Sequence, residues 1–419
     1  MDRVKFSKIL AASFNTFLFT LVTAIVVPQK SYAAGISGRI EAAIINSDDP
    51  VTWQKNGTGI LRAEDNGVNI TQTFLKYQSK AWNGWSFKSV LNAYADGEKN
   101  VGITQAYVTY KPLSASKIKH KARIGFFYPE FSVENTAAGW LSPYFFTQSA
   151  INSWYGEELR TAGAEFSWYS LGRQRKSPWT WEFIAAAYKG NDTLATILPW
   201  RGFAFHDRQS LHHDRILFAP IPGVISEEGV NGPAWTEPFK ELDGRVGFYL
   251  GAHFKYLRKT DIRYYFYDNQ ADPNVVNEQR LYGWRTKFHS LALQHNLNKE
   301  LRVFFQLLDG STDMGKRVVS ADFSSYFIGF SWRPPAYRSH RLSARYDWFD
   351  VDETDNVRID PNNSDGQALT LAWRYSLSKR IEIGLEWHLN QSDVENRVFF
   401  GQEQEQTQTQ SMVVVSHLF

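Results

Sequence analysis

The chain has 419 residues, no cysteine, a formal charge of +3 and 16% aromatic residues, with 15 Trp, 20 Tyr and 30 Phe. A charge this close to neutrality gives no electrostatic footprint for nucleic acid, and the lack of cysteine excludes a disulfide framework and a cysteine-ligated metal. A mean hydropathy of −0.39 excludes a bundle of long apolar helices, whereas many aromatics without apolar runs suit strands whose lipid-facing and inward-facing residues alternate.

The first 33 residues read as a secretory signal. Arg3, Lys5 and Lys8 precede an apolar stretch from Ile9 to Val27, and Ser31-Tyr32-Ala33 places small residues for cleavage before Ala34. Its removal takes away Arg3, Lys5, Lys8 and Lys30 against Asp2, which cancels the formal charge. Residues 34–419 form one expected domain.

From there two-residue periodicity recurs. It predicts about sixteen strands, at 36–45, 67–79, 84–95, 101–111, 119–128, 159–171, 178–190, 243–257, 259–268, 281–296, 299–309, 321–333, 338–350, 366–377, 379–390 and 409–419. Their connections alternate: 46–66, 129–158, 191–242, 269–280, 310–320, 351–365 and 391–408 are long, and most others are tight. Long loops at one end and tight turns at the other predict an all-β fold, a transmembrane antiparallel β-barrel of about sixteen strands with external loops and periplasmic turns. A soluble sandwich with the same aromatics inside would be overfilled. No GxxxxGK[ST], HExxH or GxSxG motif occurs, and no cofactor is expected.

The faces assign the charges. Tyr326, Ile328, Phe330 and Trp332 share one side of a strand, as do Leu342, Ala344, Tyr346 and Trp348, and these face lipid. A charge on that face costs roughly 2–4 kcal/mol at the midplane, which places the wall charges in the lumen. Arg39, Lys88, Arg245, Lys255, Arg263, Arg302, Arg345 and Arg374 are therefore expected pore-lining residues. Loop 129–158 is expected to fold inward. Its Glu130, Glu134, Glu157 and Glu158, with Tyr144, would then face Lys121 and Arg123 across a constriction, setting a transverse field in a water-filled gap with a mild preference for anions. The loop aromatics Trp140, Tyr144, Phe145, Phe146 and Trp154 read as packing against the wall rather than as a sugar platform. His206, His212, His213 and Asp214 are at most a weak metal pattern, and exposed loop histidines are the plainer reading.

Strand number, loop rhythm, the long loop after the fifth strand and a terminal Phe419 on an alternating last strand together resemble the Gram-negative outer-membrane porins, general or phosphate-selective. The resemblance covers the whole mature chain. Pro129-Glu130-Phe131 is the nearest match to the acidic loop tip of that family, and no Lys-rich cluster marks the phosphate-selective branch. It implies passive diffusion of small hydrophilic solutes or ions, a homotrimer, contact with outer-membrane lipid and recognition of Phe419 by the barrel assembly machinery. Other readings are an adhesin or receptor using loop 191–242, or a barrel hydrolase built on a strand histidine such as His289, His295, His388 or His417.

Overall fold

The computed structural model describes residues 35–64, 66–225, 232–355, 357 and 359–419; the signal-sequence reading of residues 1–33 lies outside them. The strands in chain order are β1 (Gly35–Ser47), β2 (Gly67–Gln78), β3 (Trp85–Ala93), β4 (Val101–Tyr110), β5 (Lys119–Phe127), β6 (Thr161–Ser170), β7 (Trp179–Lys189), β8 (Ile216–Leu217), β9 (Trp235–Thr236), β10 (Gly247–Tyr256), β11 (Thr260–Asp268), β12 (Arg285–Asn296), β13 (Leu301–Met314), β14 (Val319–Trp332), β15 (His340–Glu353), β16 (Ser364–Ser376), β17 (Ile381–Val394) and β18 (Glu405–Leu418). β8 and β9 form a small hairpin inside a loop, and the other sixteen close into one barrel. β1 pairs antiparallel with β18, from Arg39 opposite Leu418 to Ser47 opposite Gln410, and β7 pairs with β10 across the long insertion between them. Closure leaves no unpaired sheet edge in a solvent that cannot hydrogen-bond to one.

Alternation decides which side faces out. On β14, Ile328, Phe330 and Trp332 are exposed while Phe323, Ser325 and Phe327 are buried. At one end the turns are tight. Asn83 and Gly84 between β2 and β3 both have positive φ, 49° and 87°, as a two-residue hairpin turn requires, and Trp82 and Trp85 exchange two 2.8 Å backbone hydrogen bonds around it.

All sixteen predicted barrel strands are present, with two differences. β13 to β18 run to 13 or 14 residues, so the connection read as a long loop at 310–320 is a tight turn between Met314 and Val319. The ends of β15–β18 carry outward carboxylates instead of apolar side chains: Asp350, Asp365, Asp393 and Glu405 are successive cross-strand neighbours in one row. Polar residues above the lipid band mask the strand period. The second difference is the interior. A lumen lined by water was expected, yet inward-facing residues at mid-depth are buried around the circumference, including Asn92, Thr104, Glu165, Tyr249, Phe304, Arg345 and His388. The barrel encloses a packed core.

Candidate functional site

Loop 129–158 supplies the first layer of that core. It ends in helix α1 (Ala150–Glu158), whose N-cap Ser149 accepts from Asn152 N at 3.2 Å. An irregular loop in a packed lumen has backbone groups that need partners, and the wall supplies them. Glu386 on β17 accepts from Phe146 N and Thr147 N, both at 2.7 Å, and Asp347 on β15 accepts from Ala150 N at 3.3 Å. Arginines serve the carbonyls. Arg263 donates to Glu130 O and Ser132 O at 3.1 and 2.8 Å, and Arg341 to Pro143 O at 2.7 Å. Arg374 donates to Ser142 O and Phe145 O, both at 3.0 Å, and Arg345 to Thr147 O and Gln148 O at 2.9 and 3.0 Å. A planar guanidinium with five donors can bridge two carbonyls at once, which a lysine ammonium does less well. The loop's other side is apolar. Phe131 packs on Tyr265 with centroids 4.2 Å apart, Tyr144 stacks on Phe304 at 4.5 Å, and Trp154 meets Phe288 and Phe323 at 5.5 and 5.3 Å.

The expected constriction residues are only partly brought together. Arg123 on β5 makes a bidentate pair with Glu165 on β6, at 2.8 and 2.7 Å, and Tyr249 donates to the same carboxylate at 2.6 Å. Lys121 pairs with Glu182 at 2.9 Å. Of the four loop carboxylates only Glu130 approaches them, 3.7 Å from Arg123 and 3.8 Å from Lys121. Glu134 instead meets Arg345 at 2.6 Å, with both side chains fully buried. Glu157 takes both guanidinium nitrogens of Arg201, at 3.0 and 2.6 Å, with His206 Nε2 3.2 Å away. Glu158 accepts from Trp154 Nε1 at 2.7 Å and from Ala195 N at 2.9 Å. Tyr144 accepts from Arg302 at 2.6 Å. The expected field of acidic loop against basic wall across water is therefore corrected to a set of local ion pairs, because a buried charge is costly unless paired.

The pore-lining arginines differ in the same way. Arg39 binds Glu41, Glu382 and Ser416, and Arg263, Arg302, Arg345 and Arg374 hold the loop. Lys88 lies 3.3 Å from Gln105 Oε1, and Lys255 is 3.5 Å from Asp261. Arg245 lies outside the strands, half-exposed beside Asp272 at 2.8 Å, and lines no lumen. The Phe419 ring fills the space over Gly38, and Phe419 N donates to Gly38 O at 3.2 Å.

A second filler was not foreseen. The segment Phe203–Leu211 lies entirely buried, running between loop 129–158, the first external loop and the β2–β4 wall. Phe205 N donates to Ile60 O at 2.8 Å, and Ser210 N to Gly156 O at 3.0 Å. Asp207 receives Arg62 at 2.6 Å, while its carbonyl accepts from Gln72. Arg208 binds Asp96 and Asp214 at 3.3 and 2.8 Å. Gln209 bonds Gly139 O, the Tyr128 hydroxyl and the Tyr94 hydroxyl at 2.8, 3.1 and 3.0 Å. The sequence signal was present: Leu194, Ile197, Leu198, Trp200, Phe203 and Phe205 form a segment too apolar for an external loop. Arg201 and His206 also tie this segment to the first loop, since both lie against the Trp53 ring, at 5.0 and 4.7 Å. His206, His212, His213 and Asp214 do not converge: His206 faces Glu157, His212 the Phe126 ring, His213 Glu237, and Asp214 Arg208. Of the strand histidines, His295 and His388 each bond a threonine hydroxyl at 2.9 Å; His289 bonds the Tyr264 hydroxyl at 2.7 Å.

Two side chains at the end of helix α1 have displaced titration. Burial alone would raise the Glu157 carboxyl, but Arg201 and then His206 outweigh it and bring it down to about 2. Burial pushes Glu158 up to about 8, with the neighbouring Glu157 adding to the rise.

A closed sixteen-stranded antiparallel barrel with loop 129–158 held against its inner wall has the fold of the outer-membrane porins. No protein-family model matches the sequence, and no curated protein does. Solved structures do match. The outer-membrane channel DcaP of Acinetobacter baumannii aligns with a TM-score of 0.53 at 11% identity, over 94% of this chain and 99% of that one. OmpF of Salmonella typhi, in complex with daunomycin, gives 0.53 at 8% identity, over 92% and 97%. An anion-selective porin from Comamonas acidovorans gives 0.50 at 12%, over 92% and 99%. OmpT of Vibrio cholerae, an outer-membrane protein also solved in a trimer form, gives 0.52 at 7%, over 92% and 99%. At such identities the likeness is one of fold.

Proposed function

We propose that this protein is an outer-membrane porin for small hydrophilic solutes or ions, a channel whose resting form is closed by its own loops. The observation that carries the reading is the porin barrel with loop 129–158 and segment Phe203–Leu211 filling it at mid-depth. Loop 129–158 is fastened to the wall through many backbone contacts to Arg263, Arg341, Arg345, Arg374 and Glu386, and it narrows the lumen. Segment Phe203–Leu211 is held mainly against other loops, by backbone bonds to Ile60 and Gly156 and by side-chain ties through Arg62, Asp96 and Gln209, and it is the part that leaves when the channel opens. The wall arginines favour anions, in line with the anion-selective porin of Comamonas acidovorans that shares the fold. Their pairing with Glu41, Glu165, Glu382 and Asp347 keeps the preference small. Cleavage of residues 1–33, an outer-membrane location, a homotrimer and Phe419 as an assembly signal belong to the same reading.

The test is conductance in planar bilayers, comparing the wild type with a variant in which residues 203–211 are replaced by a Gly/Ser linker. The wild type is expected to show rare discrete steps and the variant frequent, larger ones. If neither conducts, the reading fails. If the two conduct alike, the gating role of the segment fails. An adhesin using loop 191–242 has less support, because residues 191–211 face the interior.

A further inference from the structure

The outer surfaces of the two barrel ends carry opposite charge. Seven tight turns, at 79–84, 111–118, 171–178, 257–259, 297–300, 333–339 and 377–380, close one end. Together they hold thirteen lysines and arginines, at least one in each turn, against a single carboxylate, Glu300. Twelve of the thirteen are exposed. Lys80 aside, none of them pairs with a carboxylate among the described residues; the ion pairs near this end, such as Lys255 with Asp261 and Arg374 with Glu382, join strand residues. At the loop end the outward row of Asp350, Asp365, Asp393 and Glu405 is acidic. A ring of exposed cations repels itself and attracts an anionic surface.

A merely solvated basic face would have polar neighbours, and these turns do not. Six of the seven also present a large exposed apolar side chain: Trp82 is 73% exposed, Tyr337 65% and Leu113 fully, with Leu257, Leu297 and Leu377 similar. The seventh turn runs into the exposed Trp179. Just inside the turns, aromatic pairs stand at the strand ends. Trp85 meets Tyr110 with centroids 4.6 Å apart, and Trp179 meets Tyr256 at 5.0 Å, as in an interfacial girdle. Lys111 follows Tyr110 directly, Arg333 follows Trp332, and Arg258 lies two residues beyond Tyr256. At about 3.3 Å per strand residue, these cations sit roughly 3–7 Å beyond the girdle, at the depth of lipid phosphates rather than out in bulk water.

We infer that the turn end is a docking collar for anionic phospholipid, its lysines and arginines pairing with headgroup phosphates while the apolar turn residues enter the interface. The inference rests on the reading of this chain as an outer-membrane barrel, in which this end meets the inner leaflet. A zwitterionic headgroup brings its own ammonium and neutralises the collar less. A soluble polyanion would match the charge but leave Trp82, Leu113 and Tyr337 in water. The acidic row repels the same lipid from the loop end.

Electron paramagnetic resonance on the full chain refolded into phosphatidylcholine vesicles tests it, with trace spin-labelled phosphatidylglycerol and spin-labelled phosphatidylcholine as probes. The lipid bound at the wild-type barrel is expected to favour phosphatidylglycerol at least about threefold. A turn-end variant with Arg258→Gln, Lys259→Gln, Lys379→Gln and Arg380→Gln loses most of that preference. A loop-end variant with Arg280→Gln, Lys287→Gln, Lys316→Gln and Arg317→Gln, equal in charge removed, keeps it. Should the turn-end variant not insert, Lys111→Gln, Lys117→Gln, Arg333→Gln and Arg338→Gln in other turns replace it, and about 0.5 M salt, which screens exposed charges, must lower the wild-type preference. The inference is overturned, and the barrel reading left standing, if the inserted wild type shows no preference or if the two ends respond alike. It is equally overturned if the turn-end variant keeps its lipid preference but no longer sediments with peptidoglycan, which makes the wall polymer the partner. A wild type that never acquires heat-dependent gel mobility in the vesicles has not inserted, and then both readings fail.

Discussion

At the scale of single residues, the proposed closed state turns on a few buried ion pairs. Arg62 joins Asp96, Asp207 and the Thr71 carbonyl, so one side chain ties a strand end and segment Phe203–Leu211 together. Truncating one partner of a buried pair leaves the other uncompensated and costs about 3–5 kcal/mol. Arg62→Ala is therefore expected to raise the frequency of opening events in single-channel records while leaving the fully open conductance unchanged. The pair Glu157 and Glu158 gives the pH dependence. Glu158 binds its proton more tightly in the packed state than when freed, since its carboxyl moves from 4.5 to about 8. Over that window the packed state holds more protons, so its stability falls as pH rises and levels off above about 8. Glu157 has the opposite sign: its contribution is complete above 4.5 and is lost as pH falls through about 2. Open probability is thus expected to climb between pH 5 and 8, a range the Glu158 shift spans. Glu158→Gln, which mimics the protonated carboxyl, is expected to flatten that climb. A flat wild-type profile would refute the assignment.

At the scale of elements, loop 129–158 relies on the wall being cut to its shape. Gly384 on β17 leaves room for the Phe146 ring, which a Cβ at that position would meet at 2.2 Å. Gly384→Val forces the ring or the strand to move, a clash of about 1–3 kcal/mol, and is expected to lower the urea midpoint of the refolded protein. The sequence revealed strands far better than it revealed what fills the barrel. A period of two is local, so β5 and β6 could be read residue by residue, including Arg123 and Glu165 facing inward. The extensions of β16 and β17 escaped because Asp365 and Asp393 stand where apolar residues were expected. The partners of Glu134 and Glu157 escaped for a different reason. Arg345 is 211 residues from Glu134, and Arg201 is 44 from Glu157; no local pattern encodes which arginine meets which carboxylate once the chain is closed. The pairing guessed for Arg123 was with the loop, whereas the nearer carboxylate lies directly across the ladder and needs no loop to reach it.

At the scale of the whole molecule, the pairing of wall charges predicts weak selectivity. Reversal potentials in a salt gradient are expected to lie close to zero and slightly on the anion side. Arg123→Ala removes a cation already paired with Glu165, leaves Glu165 and Glu130 in excess, and is expected to move selectivity toward cations. A strong cation preference in the wild type would contradict the wall assignment. The fastening of loop 129–158 has one more consequence, in the time domain. Its amides at Phe146, Thr147 and Ala150 are held by side-chain carboxylates, while the barrel amides are held by strand ladders that run unbroken from β1 round to β18. Contents and hoop can come loose at different free energies. Deuterium uptake should therefore split into two classes, with the enclosed segments labelling during excursions in which the hoop never breaks.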